Sequence, residues 1–101
     1  MLTYKPPELP KVEKFADETL FVSIDISGIL EENEIAIAIN KYTDSPQLDT
    51  VRTRRGKAVE CRVLPINYDS TATYIDHKIS IQVQTNFGSI RSINFMCRIY
   101  K

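Results

Sequence analysis

Apolar and polar residues alternate with a period of two through most of this chain. Between Lys78 and Lys101, Ile79, Ile81 and Val83 alternate with Ser80, Gln82 and Gln84. Ile93, Phe95, Cys97 and Ile99 then alternate with Asn94, Met96, Arg98 and Tyr100. That is the signature of two half-buried strands. Asn86-Phe87-Gly88-Ser89 between them supplies the residues that most readily take the positive φ of a tight hairpin turn. Upstream, Leu20, Val22, Ile24 and Ile26 face one way in Thr19–Ser27 while Phe21, Ser23, Asp25 and Ser27 face the other, and Gly28 ends the strand. Gly28–Asn33 is a short connection with room for one helical turn. In Glu34–Tyr42 the isoleucines Ile35, Ile37 and Ile39 share one phase and Ala36 and Ala38 the other. β-Branched residues at a spacing of two favour strand over helix.

Leu48–Arg54 and Lys57–Leu64 read as a hairpin turning at Arg54-Arg55-Gly56-Lys57, with Val59, Cys61 and Val63 inward and Pro65 as its stop. The polar stretch Asn67–Asp76 is a connection expected to cross between sheets before the closing hairpin. At the other end, Met1–Phe15 carries Pro6, Pro7 and Pro10, which fix φ and remove amide donors, so it reads as an extended arm. Its Leu2, Tyr4, Leu9, Val12 and Phe15 are too many apolar side chains for a solvated tail. The arm lies along its own domain's edge or reaches a neighbour. The pattern predicts an all-β, immunoglobulin-like antiparallel β-sandwich of six to seven strands spanning 16–101, preceded by the extended N-terminal arm 1–15.

Composition narrows the function classes. A chain of 101 residues is one domain with a modest core. No apolar run approaches the roughly 18 residues of a membrane span. The N-terminus MLTYKPPELPK has prolines and charges where an export signal would be apolar, which points to synthesis in the cytoplasm. Net charge is zero, against the basic character of a dedicated nucleic-acid binder. Yet residues 1 to 50 carry ten acids and four bases, and residues 51 to 101 three acids and nine bases. Interleaved strands would mix these into a balanced surface. Segregated faces would instead steer copies or neighbours into a fixed orientation.

The candidates for chemistry are few. Cys61 and Cys97 fall on inward phases, and without an export signal they are expected as free core thiols. Two cysteines and one histidine, His77, have no CxxC spacing and cannot fill a four-ligand zinc site, so no metal or other cofactor is expected. His77 beside Asp76 reads as a strand-start histidine, since a nucleophilic thiolate needs an electropositive, part-exposed setting. Glu31, Glu32 and Glu34 read as a solvated acidic turn lacking the ladder of a calcium loop. Arg52, Arg54, Arg55 and Lys57 form the one concentrated basic feature, a cationic finger able to meet phosphate or an acidic protein surface. No aromatic residues are interleaved there to stack bases, which counts against nucleic acid.

Two segments carry a family resemblance. Ser23–Ala36, whose strand runs into Leu30-Glu31-Glu32, and Ile79–Phe95, which closes on the Asn86–Ser89 turn, resemble small immunoglobulin-like proteins of tailed bacteriophages, in the group called phage fiber-tail adaptor proteins. Asn67–Asp76 lacks the glycines this family carries before its last hairpin. The resemblance implies a non-enzymatic structural or assembly protein of a phage virion (tail, neck, fiber adaptor or capsid surface), made in the host cytoplasm. It would dock on other virion proteins and be present as a homo-oligomer or in several symmetric copies. The residues expected to touch partners are Tyr4, Pro6, Pro7 and Leu9 of the arm and Arg52, Arg54, Arg55 and Lys57 of the hairpin tip. The alternative is a carbohydrate- or ligand-binding sandwich presenting Tyr68, Tyr74 and Phe87 on its loops.

Overall fold

The computed structural model describes residues 1–101 as an all-β sandwich. Its strands are β1 (Leu2–Thr3), β2 (Lys11–Phe15), β3 (Leu20–Asp25), β4 (Ala36–Tyr42), β5 (Leu48–Arg54), β6 (Ala58–Val63), β7 (Tyr74–Thr85) and β8 (Ile90–Tyr100), with a 3-10 turn at Ser27–Ile29. One sheet has the order β1-β3-β6-β5 and the other β2-β8-β7-β4. The inward phases meet between them: Val22, Ile24, Val59, Cys61 and Val63 from the first sheet, Ile79, Ile81, Val83, Ile93, Phe95, Cys97 and Ile99 from the second. No helix is long and apolar enough to cross a membrane.

The sheets are mixed where the sequence pattern predicted antiparallel ones. β1 runs parallel to β3 and β2 parallel to β8, while every other pair is antiparallel. Parallel neighbours need a long connection between them. The arm meets that condition, because β1 is separated from β3 by all of β2 and β2 from β8 by most of the chain. Strand count rises to eight because the arm itself pairs. It bends at Pro6-Pro7, where the Glu8 amide donates to the Lys5 carbonyl at 3.0 Å, and so feeds one edge of each sheet. Of the two paths open to the arm, the one along its own domain is the one observed. Tyr4 closes the core between the sheets, 4% exposed.

The phase of β4 departs from the sequence reading. Ala36 is buried, while Ile35 and Ile37 are 38% and 54% exposed. A register shift between Ala36 and Ala38 then returns Ile39 to the core side. The cause lies two residues before the strand. Glu34 is fully buried and takes the inward phase that Ile35 would otherwise have held. A bulge adds one residue to one strand and so inverts every later side chain.

β7 and β8 pair over eleven positions from Tyr74↔Tyr100 to Gln84↔Ile90, so β7 begins earlier than its clean alternation suggested. At their turn Gly88 has φ 79° and its amide donates to Thr85 O at 3.0 Å. The connection after β6 crosses between sheets as expected. It is held by amides of Leu64 and Ile66 donating to Gln47 O and Ala16 O, and by Tyr68 Oη donating to Ala72 O at 2.6 Å.

Candidate docking surfaces

The β5–β6 hairpin tip is built by two residues in the left-handed region, Arg55 at φ 53° and Gly56 at φ 68°. Lys57 N–H donates to Arg54 O at 3.2 Å across them, the geometry of a type I′ turn. Its four cations have different fates. Arg52 Nε and Arg54 Nη1 lie 3.0 and 3.3 Å from the two carboxylate oxygens of Glu60, a side chain 2% exposed on β6. Burial pushes the Glu60 carboxyl up, but the bonds from Arg52 and Arg54 outweigh it and hold it below its ordinary value. Lys57 Nζ donates to Glu34 O at 2.8 Å. Arg55 alone projects from the apex with no bonding partner. The tip therefore keeps a net positive charge, since Arg52 and Arg54 share one carboxylate and Lys57 bonds only a carbonyl, and Arg55 is the one of its four cations that makes no bond. Met1, Asp25 and Ser27 join the tip in lining an open cleft of about 530 Å³.

Glu34 was expected in a solvated acidic turn and is instead the most enclosed charge in the molecule. Arg91 Nη2 bonds its Oε1 at 2.7 Å, the Glu31 amide the same oxygen at 2.9 Å, and Thr85 Oγ1 its Oε2 at 2.7 Å. The Arg91 bond, then the Glu31 amide and Thr85, hold its carboxyl down at about 2 against a burial penalty that acts the other way. This clamp ties the loop before β4 to the β7–β8 hairpin. Spacing gave no hint of it, since Glu34 and Arg91 stand 57 residues apart.

The opposite end of the sandwich carries a feature invisible in the sequence. Register places Phe15, Tyr100 and Tyr74 side by side across β2, β8 and β7 on the outer face. Phe15 and Tyr100 have ring centroids 5.8 Å apart, Tyr100 and Tyr74 6.0 Å. Arg98 lies over the Tyr74 ring at 3.9 Å and makes two bonds to Asp76, at 2.8 and 3.0 Å. Beside this row Glu13, Phe15, Glu18 and Tyr100 rim a cleft of about 370 Å³. Lys14, 4% exposed, also lines it, and its ammonium donates to the carbonyls of Phe15, Ala16 and Glu18. Burial lowers the Lys14 pKa.

The remaining candidates are dispersed. Tyr4 belongs to the core and offers a partner no surface, whereas Pro6, Pro7 and Leu9 are exposed at the arm's bend. Tyr68 packs against the core, Tyr74 joins the aromatic row, and Phe87 stands in the far turn, so these three share no platform. Cys61 and Cys97 are free and buried. Burial pushes their thiols up to about 12 and about 11, the opposite of an activated nucleophile. His77 pairs across from Cys97 in the strand register. The two oppositely charged halves of the chain mix, with Arg62–Asp49 at 2.7 Å and Arg91–Glu34 at 2.7 Å joining one half to the other. No family model, no curated protein and no solved structure matches this chain.

Proposed function

We propose that the protein is a non-enzymatic assembly module, a structural component of a phage particle built on an immunoglobulin-like sandwich and acting by docking on other particle proteins. The observation that carries the docking part is the pair of unlike surfaces held at the two ends of one stiff β-hairpin. Arg55 is presented at the end where β7 turns into β8, and the aromatic and acidic cleft at the end where Phe15 and Tyr74 flank Tyr100. The strand order supports the immunoglobulin-like part. With β3 to β8 lettered B to G, β1-β3-β6-β5 follows the ABED order and β4-β7-β8 the CFG order. The parallel edge pairs are where it departs from that plan.

Mass spectrometry of purified particles from the source of the sequence tests this reading. The chain should be recovered at a fixed ratio to the major shell protein. A chain abundant in the producing cell and missing from the particle would overturn it. A ligand-binding module is the second reading, favoured by the exposed Phe15-Tyr100-Tyr74 row. Glycan binding that disappears in Tyr74→Ala would turn the argument to it.

A further inference from the structure

An aromatic ring flanked by a carboxylate is guanidinium-binding chemistry: the ring face attracts the cation and the carboxylate fixes its N–H groups. The molecule uses this set once within itself, where Arg98 lies 3.9 Å above Tyr74 and bonds Asp76. The same kinds of group recur across β2 and β8, where the cleft's own cation, Lys14, is taken up by the carbonyls of Phe15, Ala16 and Glu18. Phe15 is 54% exposed beside Tyr100, and Glu13 and Glu18 rim the cleft. Glu13 has only a long contact, Tyr100 Oη to its Oε1 at 3.4 Å, and Glu18 uses one oxygen on the Phe15 amide at 2.6 Å. Each keeps an oxygen free to accept.

The chain also presents one guanidinium with nothing to bind. Arg52, Arg54, Arg62, Arg91 and Arg98 are all ion-paired, and Arg55 is the sixth arginine. It cannot reach the cleft of its own molecule. The tip sits against Ile35, and the neighbouring Ala36 pairs with Thr85 at one end of β7, while Tyr74 at the other end pairs with Tyr100. Twelve-residue β7 separates those ends by about 36 Å at about 3.3 Å per residue.

We infer that the cleft of Glu13, Phe15, Glu18 and Tyr100 receives the Arg55 tip of a second copy, so that molecules stack head to tail along their long axis. This deepens the docking reading above and rests on it. The contact uses two different surfaces, so it is heterologous and each copy keeps one free end, which extends into a row or closes into a ring. One guanidinium in one cleft buries far less than the roughly 1,200 Å² of a stable isolated pair, so the contact belongs to high local concentration.

Sedimentation velocity over a micromolar-to-millimolar series, at low and high salt, tests it with two variants that spare the fold. Arg55→Asn removes the guanidinium while creating the Asn-Gly pair a type I′ turn prefers. Glu13→Gln with Phe15→Ala disables the cleft through exposed side chains. The wild type should grow in mass with concentration and shrink in high salt, and each variant alone should stay monomeric. Mixed, the two should form a one-to-one dimer and nothing larger, because only one live tip and one live cleft remain. A wild type monomeric throughout the series, variants that self-associate like the wild type, or a mixture that stays monomeric would each overturn the inference. Recovery of the chain from particles would still stand in those cases, which separates this failure from failure of the docking reading.

Discussion

Arg55 and Gly56 show how one backbone requirement decides a surface. Both hold positive φ, and a Cβ on Gly56 would lie 2.6 Å from Ile35 Cβ, so the position demands glycine for conformation and for space. The close approach is also what docks the hairpin on the loop before β4, where the Ala36 amide donates to Gly56 O at 2.9 Å. Gly56→Ala combines a left-handed alanine, about 1–2 kcal/mol, with a collision inside a packed contact, about 1–3 kcal/mol. A loss of roughly 2–5 kcal/mol in urea unfolding is expected. Arg55→Asn in the same assay should be neutral or slightly stabilising, since it changes the guanidinium and keeps the turn. A Gly56→Ala protein with wild-type stability would mean that the tip is free of Ile35.

At the scale of elements, the N-terminal arm is the part whose role changes most between sequence and structure. An accessory arm could be removed without loss of fold, but this one supplies an edge to each sheet and inserts Tyr4 between them. Tyr4→Ala should therefore cost about 3–5 kcal/mol, as for other large buried aromatics. Tyr4→Phe should cost little, because the hydroxyl meets only Asn94 Nδ2 at 3.5 Å. Deleting residues 1 to 12 should lower the unfolding midpoint strongly before it affects any assembly. A truncated chain as stable as the full one would restore the accessory role. Strand positions were legible because β3, β6, β7 and β8 obey a strict period of two, and so were the turns marked by Gly56 and Gly88. The phase of β4 was not, because its isoleucines alternate cleanly and the residue that overrides them is a glutamate paired 57 positions away. The aromatic cleft was hidden for a similar reason. Phe15 and Tyr100 meet only through the parallel register of β2 on β8, and no local pattern specifies a partner strand.

For the whole molecule, the carboxylates set the response to acid. Glu34 is held at about 2 against an ordinary 4.5, and Asp49, Asp76 and Glu60 are also lowered by the arginines that bond them, in Glu60 despite a larger burial effect. A carboxyl with a depressed folded-state pKa binds fewer protons folded than unfolded across the interval between its two values. Stability is therefore fully present above about 4.5 and is lost as pH falls toward about 2. The urea midpoint should decline steadily through that window. Glu34→Gln isolates the share of the central clamp, since the amide leaves Arg91 facing a neutral partner at every pH. The variant should be clearly less stable than the wild type at neutral pH, and the gap should close near pH 2, where Glu34 itself becomes neutral. The two curves should converge from above, with the wild type the steeper. A gap that stays constant across the window would mean that Glu34 acts through shape rather than charge. The Arg91 clamp would then have to be removed from the account of how the loop before β4 is fastened to the β7–β8 hairpin.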